Sequence, residues 1–306
     1  MGKIAFVFSG QGAQYGGMGE ELSGCSPAAK KVFDMADGIR AGTSRQCFTA
    51  DKEELAITAN TQPCVFCVDL AAAESLKEAG VMPDAAAGFS LGEIAALTFA
   101  GVFAPPDAFA FVCKRAGFMQ KAAEKTNGAM AAVLRLSNEK VEELCSAYEK
   151  VFPVNYNCPG QLVVAGEKSA LDSFCGGVKT AGGKAVLLPV GGGFHSPFMD
   201  DASDELYNEL GDYALHPPVI PVYANRTAQP YGHDVKGLIA MQVKSPVLWQ
   251  KTIENMVQDG IDTFIEVGPG KTLCGFVKKI APHVHTYNVE NKETLDSTLR
   301  ALDKGE

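Results

Sequence analysis

Residues 83–100 read PDAAAGFSLGEIAALTFA. The centre of this stretch is a G-x-S-x-G pattern around Ser90, which marks a nucleophile elbow when a strand precedes it and a helix follows. In that geometry the serine lies on a sharp turn, and the small glycines let neighbouring backbone approach closely. Residues 85–89 predict a short buried strand, and residues 91–100 predict an amphipathic helix. This context favours a nucleophilic Ser90 over an ordinary Gly-Ser turn.

The composition is typical of a globular enzyme. The 306 residues can bury one large domain or two, and 46% of them are hydrophobic against 21% charged. A net charge of −9 argues against a nucleic-acid partner, and any surface that meets an acidic partner must be locally basic. No apolar run approaches membrane-spanning length, so we expect no membrane partner. Nine scattered cysteines suit a reducing compartment, and we expect a cytoplasmic protein.

Three short patterns suggest other sites, and each has a feature against it. The glycine-rich segment 10–17 follows a predicted strand, but Tyr15 stands where the third glycine of a dinucleotide fingerprint belongs. Residues 268–272 resemble the end of a P-loop, but Ile265 occupies the position of its first glycine. The C-x-x-C pattern at 64–67 lies in a helical stretch without a second ligand pair, which favours two core residues over a redox or metal site.

The order of predicted elements changes after residue 125. Strands at 129–136, 151–156, 161–166 and 184–190 alternate with helices at 138–150 and 168–182 in the ferredoxin-like order βαββαβ. Elsewhere we predict helices at 27–40, 51–58, 63–79, 106–124, 198–211, 234–240 and 246–258, and strands at 3–9, 219–224 and 262–267. The predicted fold is therefore α/β. A hydrolase-like parallel-sheet core, residues 1–125 and 194–306, carries an inserted ferredoxin-like small domain, residues 126–193.

A nucleophilic serine needs a positioned base, and the chain has five histidines. The order of triad residues in α/β-hydrolases would nominate His283 or His285 with an aspartate upstream. These two follow a proline in a polar segment, away from any glycine-rich turn. His195 sits in a glycine-rich segment where the two predicted domains meet, so we favour it as the base. A loop histidine without a chemical role is the alternative.

Ten short motifs follow one another along the chain. They are residues 10–14 (GQGAQ), 61–63 (TQP), 88–93 (GFSLGE), 115–120 (RAGFMQ), 128–132 (GAMAA), 155–161 (NYNCPGQ), 194–196 (FHS), Asn225, Gln242 and 266–273 (EVGPGKTL). In this order they resemble the malonyl-CoA:acyl-carrier-protein transacylases of fatty acid synthesis, over essentially the whole chain. Each motif alone is weak, and the set is specific.

The resemblance implies a ping-pong acyl transfer. Ser90 would attack the thioester of malonyl-CoA while His195 takes its proton. The backbone N–H groups of Gln11 and Leu91 would hold the oxyanion, a contribution that is usually large in such sites. The backbone carbonyl of Gln242 would orient the histidine, so that no triad carboxylate is needed.

The resemblance also implies the substrate contacts. Arg115 would grip the malonyl carboxylate as a two-pronged fork, with Met119 and Gln62 beside it. Phe194 resembles the bulky residue that accompanies malonyl rather than branched methylmalonyl units. The malonyl group would then pass to the phosphopantetheine thiol of acyl carrier protein. We expect no bound cofactor, no metal and a monomer.

Two positions depart from the family pattern, and three rival functions stay open. Phe89 replaces the usual histidine beside the nucleophile, and Leu248 stands where an arginine is common. A thioesterase or acyl hydrolase would share Ser90 and its oxyanion hole, although a buried Arg115 argues for an anionic acyl group. A degenerate scaffold that only binds carrier protein, and an acyltransferase serving a polyketide synthase, are the other two.

Overall fold

The structure, a computed structural model, describes residues 2–303. In this range the strands are β1 (Lys3–Phe8), β2 (Ala85–Gly88), β3 (Gly128–Leu134), β4 (Val151–Cys158), β5 (Gln161–Glu167), β6 (Lys184–Leu187), β7 (Val222–Tyr223), β8 (Ile261–Val267) and β9 (His285–Val289). They form two sheets, in the orders β7-β2-β1-β8-β9 and β4-β5-β3-β6.

The helices surround these sheets. They are α1 (Glu20–Cys25), α2 (Pro27–Ile39), α3 (Thr43–Thr49), α4 (Lys52–Ala56), α5 (Thr58–Glu78), α6 (Leu91–Phe99), α7 (Pro105–Lys125), α8 (Asn138–Ser146), α9 (Lys168–Thr180), α10 (Asp200–Glu209), α11 (Val235–Gln242), α12 (Trp249–Gln258), α13 (Thr272–Ile280) and α14 (Lys292–Asp303). Short 3₁₀ helices at Pro197–Met199 and Leu210–Asp212 flank α10.

The five-stranded sheet is parallel throughout. Its central strand β1 is an apolar run, as expected of a parallel strand that is covered on both faces. Phe6 and Phe8 belong to the core shared with α5, α6 and α7, whereas Ala5 and Val7 pack in the core that includes α12 and α13. The carboxyl ends of β1 and β2 lie side by side, with Phe8 paired to Gly88. This edge carries the Ser90 turn.

The four-stranded sheet is antiparallel, and the chain passes through it in the order βαββαβ. One face packs against α8 and α9 in a separate apolar cluster. The sheet is joined to the large body at Val247, whose N–H donates to Val154 (2.7 Å) and whose carbonyl accepts from Tyr156 (2.9 Å). The predicted fold class is confirmed by the two sheets. The domain boundaries at residues 126 and 193 stay a prediction.

Several predicted elements were wrong in extent. Helix α5 begins at Thr58 rather than at Pro63, because the proline lies inside the helix instead of opening it. Helix α6 is not amphipathic: each of its residues is buried, since it lies between the parallel sheet and α5 and α7. Strand β7 has two residues instead of the six predicted. The elements α1, α3, α13, β9 and α14 were missed.

Candidate active site

Ser90 occupies the turn between β2 and α6 with φ 53° and ψ −103°, a strained conformation for a residue that is not glycine. The two glycines of the pattern make that turn possible. A Cβ on Gly88 would lie 1.9 Å from the carbonyl carbon of Gly92, and one on Gly92 would lie 2.3 Å from the carbonyl oxygen of Phe8. The spacing G-x-S-x-G is therefore a steric requirement of the packing of α6 on β1 and β2.

His195 lies against the serine. Its Nε2 is 2.8 Å from Ser90 Oγ, and its Nδ1 is 3.0 Å from the backbone oxygen of Gln242. Burial and the charge of Arg115 lower the pKa of His195 to about 4. Hydrogen bonds to the backbone carbonyls of Gln242 and Ser245 oppose this fall in the pKa, because they favour the protonated ring. The imidazole is thus neutral at neutral pH. Its Nδ1–H donates to the Gln242 carbonyl, which leaves Nε2 to accept the serine proton.

The two other candidate histidines lie elsewhere. His285 opens β9, the edge strand of the parallel sheet, and His283 is exposed just before it. Both side chains face solvent, whereas His195 is buried beside Ser90. The geometry therefore supports His195 as the base and gives no support to the hydrolase order.

The predicted oxyanion donors border the serine. Leu91 is the first residue of α6, so its N–H lies at the start of a helix, where the dipole favours negative charge. Gln11 follows β1 and lines the same cavity as Ser90 and His195. A Cβ at position 10 would lie 2.6 Å from the backbone oxygen of Phe89, which shows how closely this loop packs on the turn.

Arg115 is buried on α7 behind the serine. Its Nη1 donates to Gln62 Oε1 (2.6 Å), its Nη2 donates to Gln242 Oε1 (2.8 Å), and the same Nη2 lies 3.4 Å from Ser90 Oγ. Burial lowers the pKa of Arg115 to about 10, although the negative charge of the nearby Glu93 opposes this fall. The guanidinium therefore stays charged at neutral pH. Its hydrogen-bond partners within residues 2–303 include no carboxylate. Two neutral amides hold the cation, and its charge remains available to an anion.

A small cavity of about 80 Å³ opens in front of Ser90. Its lining residues are Gln11, Phe89, Ser90, Met119, Met130, Asn155, Leu188, Val190, Phe194 and His195. Met119 and Phe194 thus line the same cavity as Ser90, and their contacts with a substrate stay a prediction. Gln62 is not on the lining. It lies behind Arg115, with its Nε2 3.4 Å from Met119 Sδ, so the structure places it as a support of the arginine.

A second cavity of about 210 Å³ adjoins the first and shares Gln11, Phe89, Asn155 and Leu188 with it. Three residues that line this cavity each carry a buried acceptor oxygen without a hydrogen-bond partner among the described residues. These oxygens are Asn155 Oδ1, Asn157 Oδ1 and Glu266 Oε1. Buried acceptors of this kind are costly unless a ligand or water donates to them.

A buried polar network beneath the turn was not predicted from the sequence. Asn225 Oδ1 accepts from the N–H of Ser90 (2.7 Å), and Asn225 Nδ2 donates to the Gly88 carbonyl (2.6 Å). Glu93 accepts from the N–H of Asn225 (2.9 Å) and from the hydroxyl of Tyr231. The available signal was a carboxylate within the otherwise apolar residues 91–97. Such a group, once buried, must be hydrogen-bonded.

Residues 2–303 contain neither a membrane-spanning helix nor a cluster of metal-binding side chains. No helix in this range is long and apolar enough to cross a membrane. The same residues contain no group of three or more histidine, cysteine or acidic side chains that could hold a metal ion. The cysteines at positions 64 and 67 are free and buried in the core.

A serine on a nucleophile elbow, a neutral histidine beside it and a buried cation next to the acyl cavity define an acyltransferase of the α/β class. The acyl transferase domain family matches residues 5–293. The malonyl CoA-acyl carrier protein transacylase of Bacillus subtilis (strain 168) is 38% identical, covering 99% of this chain and 98% of the relative. The enzyme of the same name from Staphylococcus aureus (strain MRSA252) is 35% identical, over 96% and 97%. The protein belongs to the malonyl-CoA:acyl-carrier-protein transacylase family.

Solved structures agree. The malonyl CoA-acyl carrier protein transacylase of Clostridium perfringens superposes with a TM-score of 0.95 at 38% identity, covering 99% of this chain and 98% of that one. A malonyl-transacylase in complex with a type II PKS acyl-carrier protein gives 0.94 at 31% identity, over 97% and 99%. The resemblance found in the sequence is confirmed, and so is the expectation of an acyltransferase enzyme.

Proposed function

We propose that the protein transfers a malonyl group from malonyl-CoA to the phosphopantetheine thiol of an acyl carrier protein, through a malonyl-serine intermediate, in fatty acid biosynthesis. The observation that carries the proposal is Arg115. Its guanidinium is buried beside Ser90, held by two amide oxygens and without a carboxylate partner among the described residues. A buried cation in this position is best explained by an anionic group on the acyl substrate.

In the first half-reaction Ser90 Oγ attacks the thioester carbonyl carbon, and its proton passes to His195 Nε2. The oxyanion that forms accepts hydrogen bonds from the N–H groups of Gln11 and Leu91. The tetrahedral intermediate collapses with cleavage of the C–S bond. His195 then returns the proton to the leaving thiolate, so that CoA departs as a thiol and the malonyl group remains on Ser90.

In the second half-reaction the carrier thiol takes the place of CoA. His195 removes its proton, the thiolate attacks the malonyl ester, and the same proton returns to Ser90 Oγ as the ester bond breaks. The Gln242 carbonyl keeps Nε2 directed at the reacting atoms in both halves. Because the Nδ1–H of a neutral imidazole needs only an acceptor, a carbonyl can serve where other enzymes use a carboxylate.

We propose that the malonyl carboxylate enters beside Ser90 and replaces the long contact between Arg115 Nη2 and the serine hydroxyl. Charged forks of this kind are short and directional. Met119 and Phe194 would pack against the malonyl methylene, and Gln62 would keep Arg115 in place. The small volume of the cavity, about 80 Å³, favours an unbranched acyl group.

The second cavity suits the arm of the thioester. A pantetheine arm carries amide N–H and hydroxyl donors, and Asn155, Asn157 and Glu266 offer acceptors without partners among the described residues. The arm would run from this cavity past Gln11 and Phe89 to Ser90. Both CoA and the carrier protein present the same arm, so one cavity would serve both half-reactions.

We propose that the protein works as a cytoplasmic monomer, with the small domain over residues 126–193, and with no cofactor, metal, membrane or nucleic acid in the reaction. The net charge of −9 supports the last point. A polyketide carrier protein is the second candidate partner, because a relative of similar fold is solved with one.

The test is intact-protein mass spectrometry after incubation with malonyl-CoA. We expect a malonyl adduct on the wild type and none on Ser90→Ala, which loses one hydroxyl and keeps its fold. The double variant His283→Ala/His285→Ala is the matched control and should acylate normally. Adding holo-carrier protein should move the adduct to the carrier. Release of free malonate instead would indicate a hydrolase, and an adduct on the Ser90→Ala protein would contradict the mechanism.

A further inference from the structure

Glu93 is a buried carboxylate that the mechanism above does not use. It lies on α6, one turn after Ser90, and 1% of its surface is exposed. Its Oε2 accepts from the N–H of Asn225 (2.9 Å) and from Nε2 of Gln242 (3.1 Å), and its Oε1 accepts from the Tyr231 hydroxyl. All three contacts are with hydrogen-bond donors, as an ionised carboxylate requires.

The side chain of Gln242 connects this carboxylate to Arg115. Its Nε2 donates to Glu93 and to the backbone oxygen of Ser90 (2.6 Å), and its Oε1 accepts from Arg115 Nη2 (2.8 Å). A carboxylate can only accept and a guanidinium can only donate. The amide therefore has one orientation that satisfies both ends, and Glu93 and the Ser90 carbonyl together favour it from the side of the NH₂ group.

We propose that Glu93 is a positioning residue that acts through the amide of Gln242. It holds Arg115 in the orientation that meets a carboxylate and so sets the preference for carboxylated over neutral acyl groups. The inference rests on the malonyl transfer proposed above. Arg115 donates to the amides of Gln62 and Gln242, and of these two only Gln242 also bonds to Ser90. The Gln242 amide therefore connects the guanidinium that would bind the substrate carboxylate with the nucleophile.

The ionised form of Glu93 is the one that fixes the amide, because a protonated carboxyl could also donate. Burial raises the pKa of Glu93 to about 7, while the hydrogen bonds from Tyr231, Asn225 and Gln242 and the charge of Arg115 oppose that rise. Above this pH the group is mainly a carboxylate. The comparison of variants therefore belongs at about pH 8.

The decisive variant is Glu93→Met, which keeps the length of the side chain and removes both acceptor oxygens. Nε2 of Gln242 then keeps only the Ser90 carbonyl as a close acceptor, so the amide holds Arg115 less firmly in place. We expect the ratio of malonyl-CoA to acetyl-CoA acylation rates to fall about 10-fold, equivalent to about 1.4 kcal/mol. The measurement is the rate of acyl-enzyme formation on Ser90, followed by mass spectrometry with each thioester.

The direction in which the ratio of malonyl-CoA to acetyl-CoA acylation rates changes distinguishes this role from two others. If Glu93 were only a counter-ion, its removal would strengthen the field of Arg115 in the acyl cavity and the ratio would rise. If it only supported the fold, both rates would fall together and the ratio would stay constant. A constant or higher ratio in Glu93→Met therefore overturns the proposal.

Two further variants complete the test. Glu93→Asp keeps an acceptor-only group, so its ratio should stay within about threefold of the wild type even if both rates fall. Thr98→Val is the structural control: it removes a buried hydroxyl from the same helix, bonded to the Ile94 carbonyl at 2.7 Å, and should leave the ratio unchanged. If neither variant of Glu93 folds, the residue is structural and the proposal is wrong. A wild type that forms no malonyl adduct would instead contradict the proposed function.

Discussion

Arg115 is a charged side chain in the interior of the protein, and its surroundings decide what it can recognise. Desolvation of a cation is costly, and the hydrogen bonds to Gln62 and Gln242 offset only part of that cost, because amide oxygens carry partial charges. A direct carboxylate partner would have cancelled the charge. The arrangement thus keeps the guanidinium both ordered and electrostatically available, which is what a binding site for a substrate carboxylate needs.

Replacing this arginine should change the choice of acyl group. Arg115→Ala removes a charged hydrogen-bond pair worth about 1.5–3 kcal/mol, so kcat/KM for malonyl-CoA should fall roughly 10- to 150-fold. Acetyl-CoA has no carboxylate to lose, so its kcat/KM should hold or improve. Arg115→Lys should recover only part of the malonyl activity, because a point charge cannot make two parallel contacts. Equal losses on both thioesters would mean that Arg115 only holds the structure.

Phe89 shows how one substitution alters the wall of the thioester cavities. It stands where the family usually has histidine, and its ring lies 5.5 Å from that of Trp249 and 6.5 Å from that of Phe276. It lines both cavities. The buried indole N–H of Trp249 has no hydrogen-bond partner among the described residues, and the apolar ring of Phe89 offers it no acceptor. The wall beside the nucleophile is thus aromatic in this chain.

At the scale of elements, the site depends on the close approach of α6 to β1 and β2. The distance is set by glycines, since a Cβ at position 92 would lie 2.3 Å from the Phe8 carbonyl oxygen and 2.4 Å from that of Ser9. Both are backbone atoms that cannot move independently of the sheet. Any side chain here must push the helix away, and Ser90 and Leu91 move with its first turn.

Gly92→Ala should therefore damage activity more than stability. We expect a loss of about 1–3 kcal/mol in the free energy of unfolding from overpacking, and acylation more than about 10-fold slower because the N–H of Leu91 leaves its place. The control is Gly117→Ala on α7, where nothing lies within 4 Å of the added Cβ. That change should stabilise the protein slightly, since alanine is the better helix former. Normal acylation by the Gly92→Ala protein would contradict the role given to α6.

The sequence predicted those elements whose pattern is unambiguous. Strand β1 and the turn at Ser90 were found because an apolar run and a steric motif identify them locally. Strand β9 was missed because it lies at an edge of the sheet with partly exposed residues, and α1 and α3 because six or seven residues carry too little periodicity. Such elements are defined by what they pack against.

In the candidate site, too, some residues can be recognised from local sequence and others only from their contacts in the fold. Ser90 and His195 could be proposed from residue type and neighbouring glycines. The hydrogen bond from His195 to Gln242 uses a backbone carbonyl, which any residue possesses, and only the resemblance suggested that position. The Glu93 network joins residues that are about 130 to 150 positions apart in the chain, and a single sequence carries no record of that proximity.

At the scale of the whole molecule, the net charge is negative while one end of α13 is locally positive. The net charge is −9, yet both proposed substrates carry a phosphate at the end of the pantetheine arm, and that end must approach the outer cavity. Helix α13 lines this cavity with Thr272, Leu273 and Phe276, and it contains no acidic residue. Its last turn exposes Lys278 and Lys279.

The position of these lysines relative to the cavity can be traced through β4. Helix α13, which carries both lysines, packs against β4, the strand that ends at Cys158. The neighbouring Asn157 lines the outer cavity. We predict that Lys278 and Lys279 attract the phosphate end of either substrate, within a molecule whose net charge of −9 repels it.

Reversing this patch should weaken the encounter with both substrates and leave the chemistry intact. For Lys278→Glu/Lys279→Glu we expect KM to rise about fivefold for malonyl-CoA and for the carrier protein, the effect of about 1 kcal/mol of lost attraction in water. The turnover number and the malonyl preference should not change, because Ser90, His195 and Arg115 are untouched. Added salt should shrink the difference from the wild type, since it screens exposed charges. The matched control is Lys168→Glu/Lys179→Glu on α9, which makes the same change in net charge on the opposite face of the antiparallel sheet. Equal effects of the two double variants would mean that only the total charge matters, and α13 would then have no special part in docking.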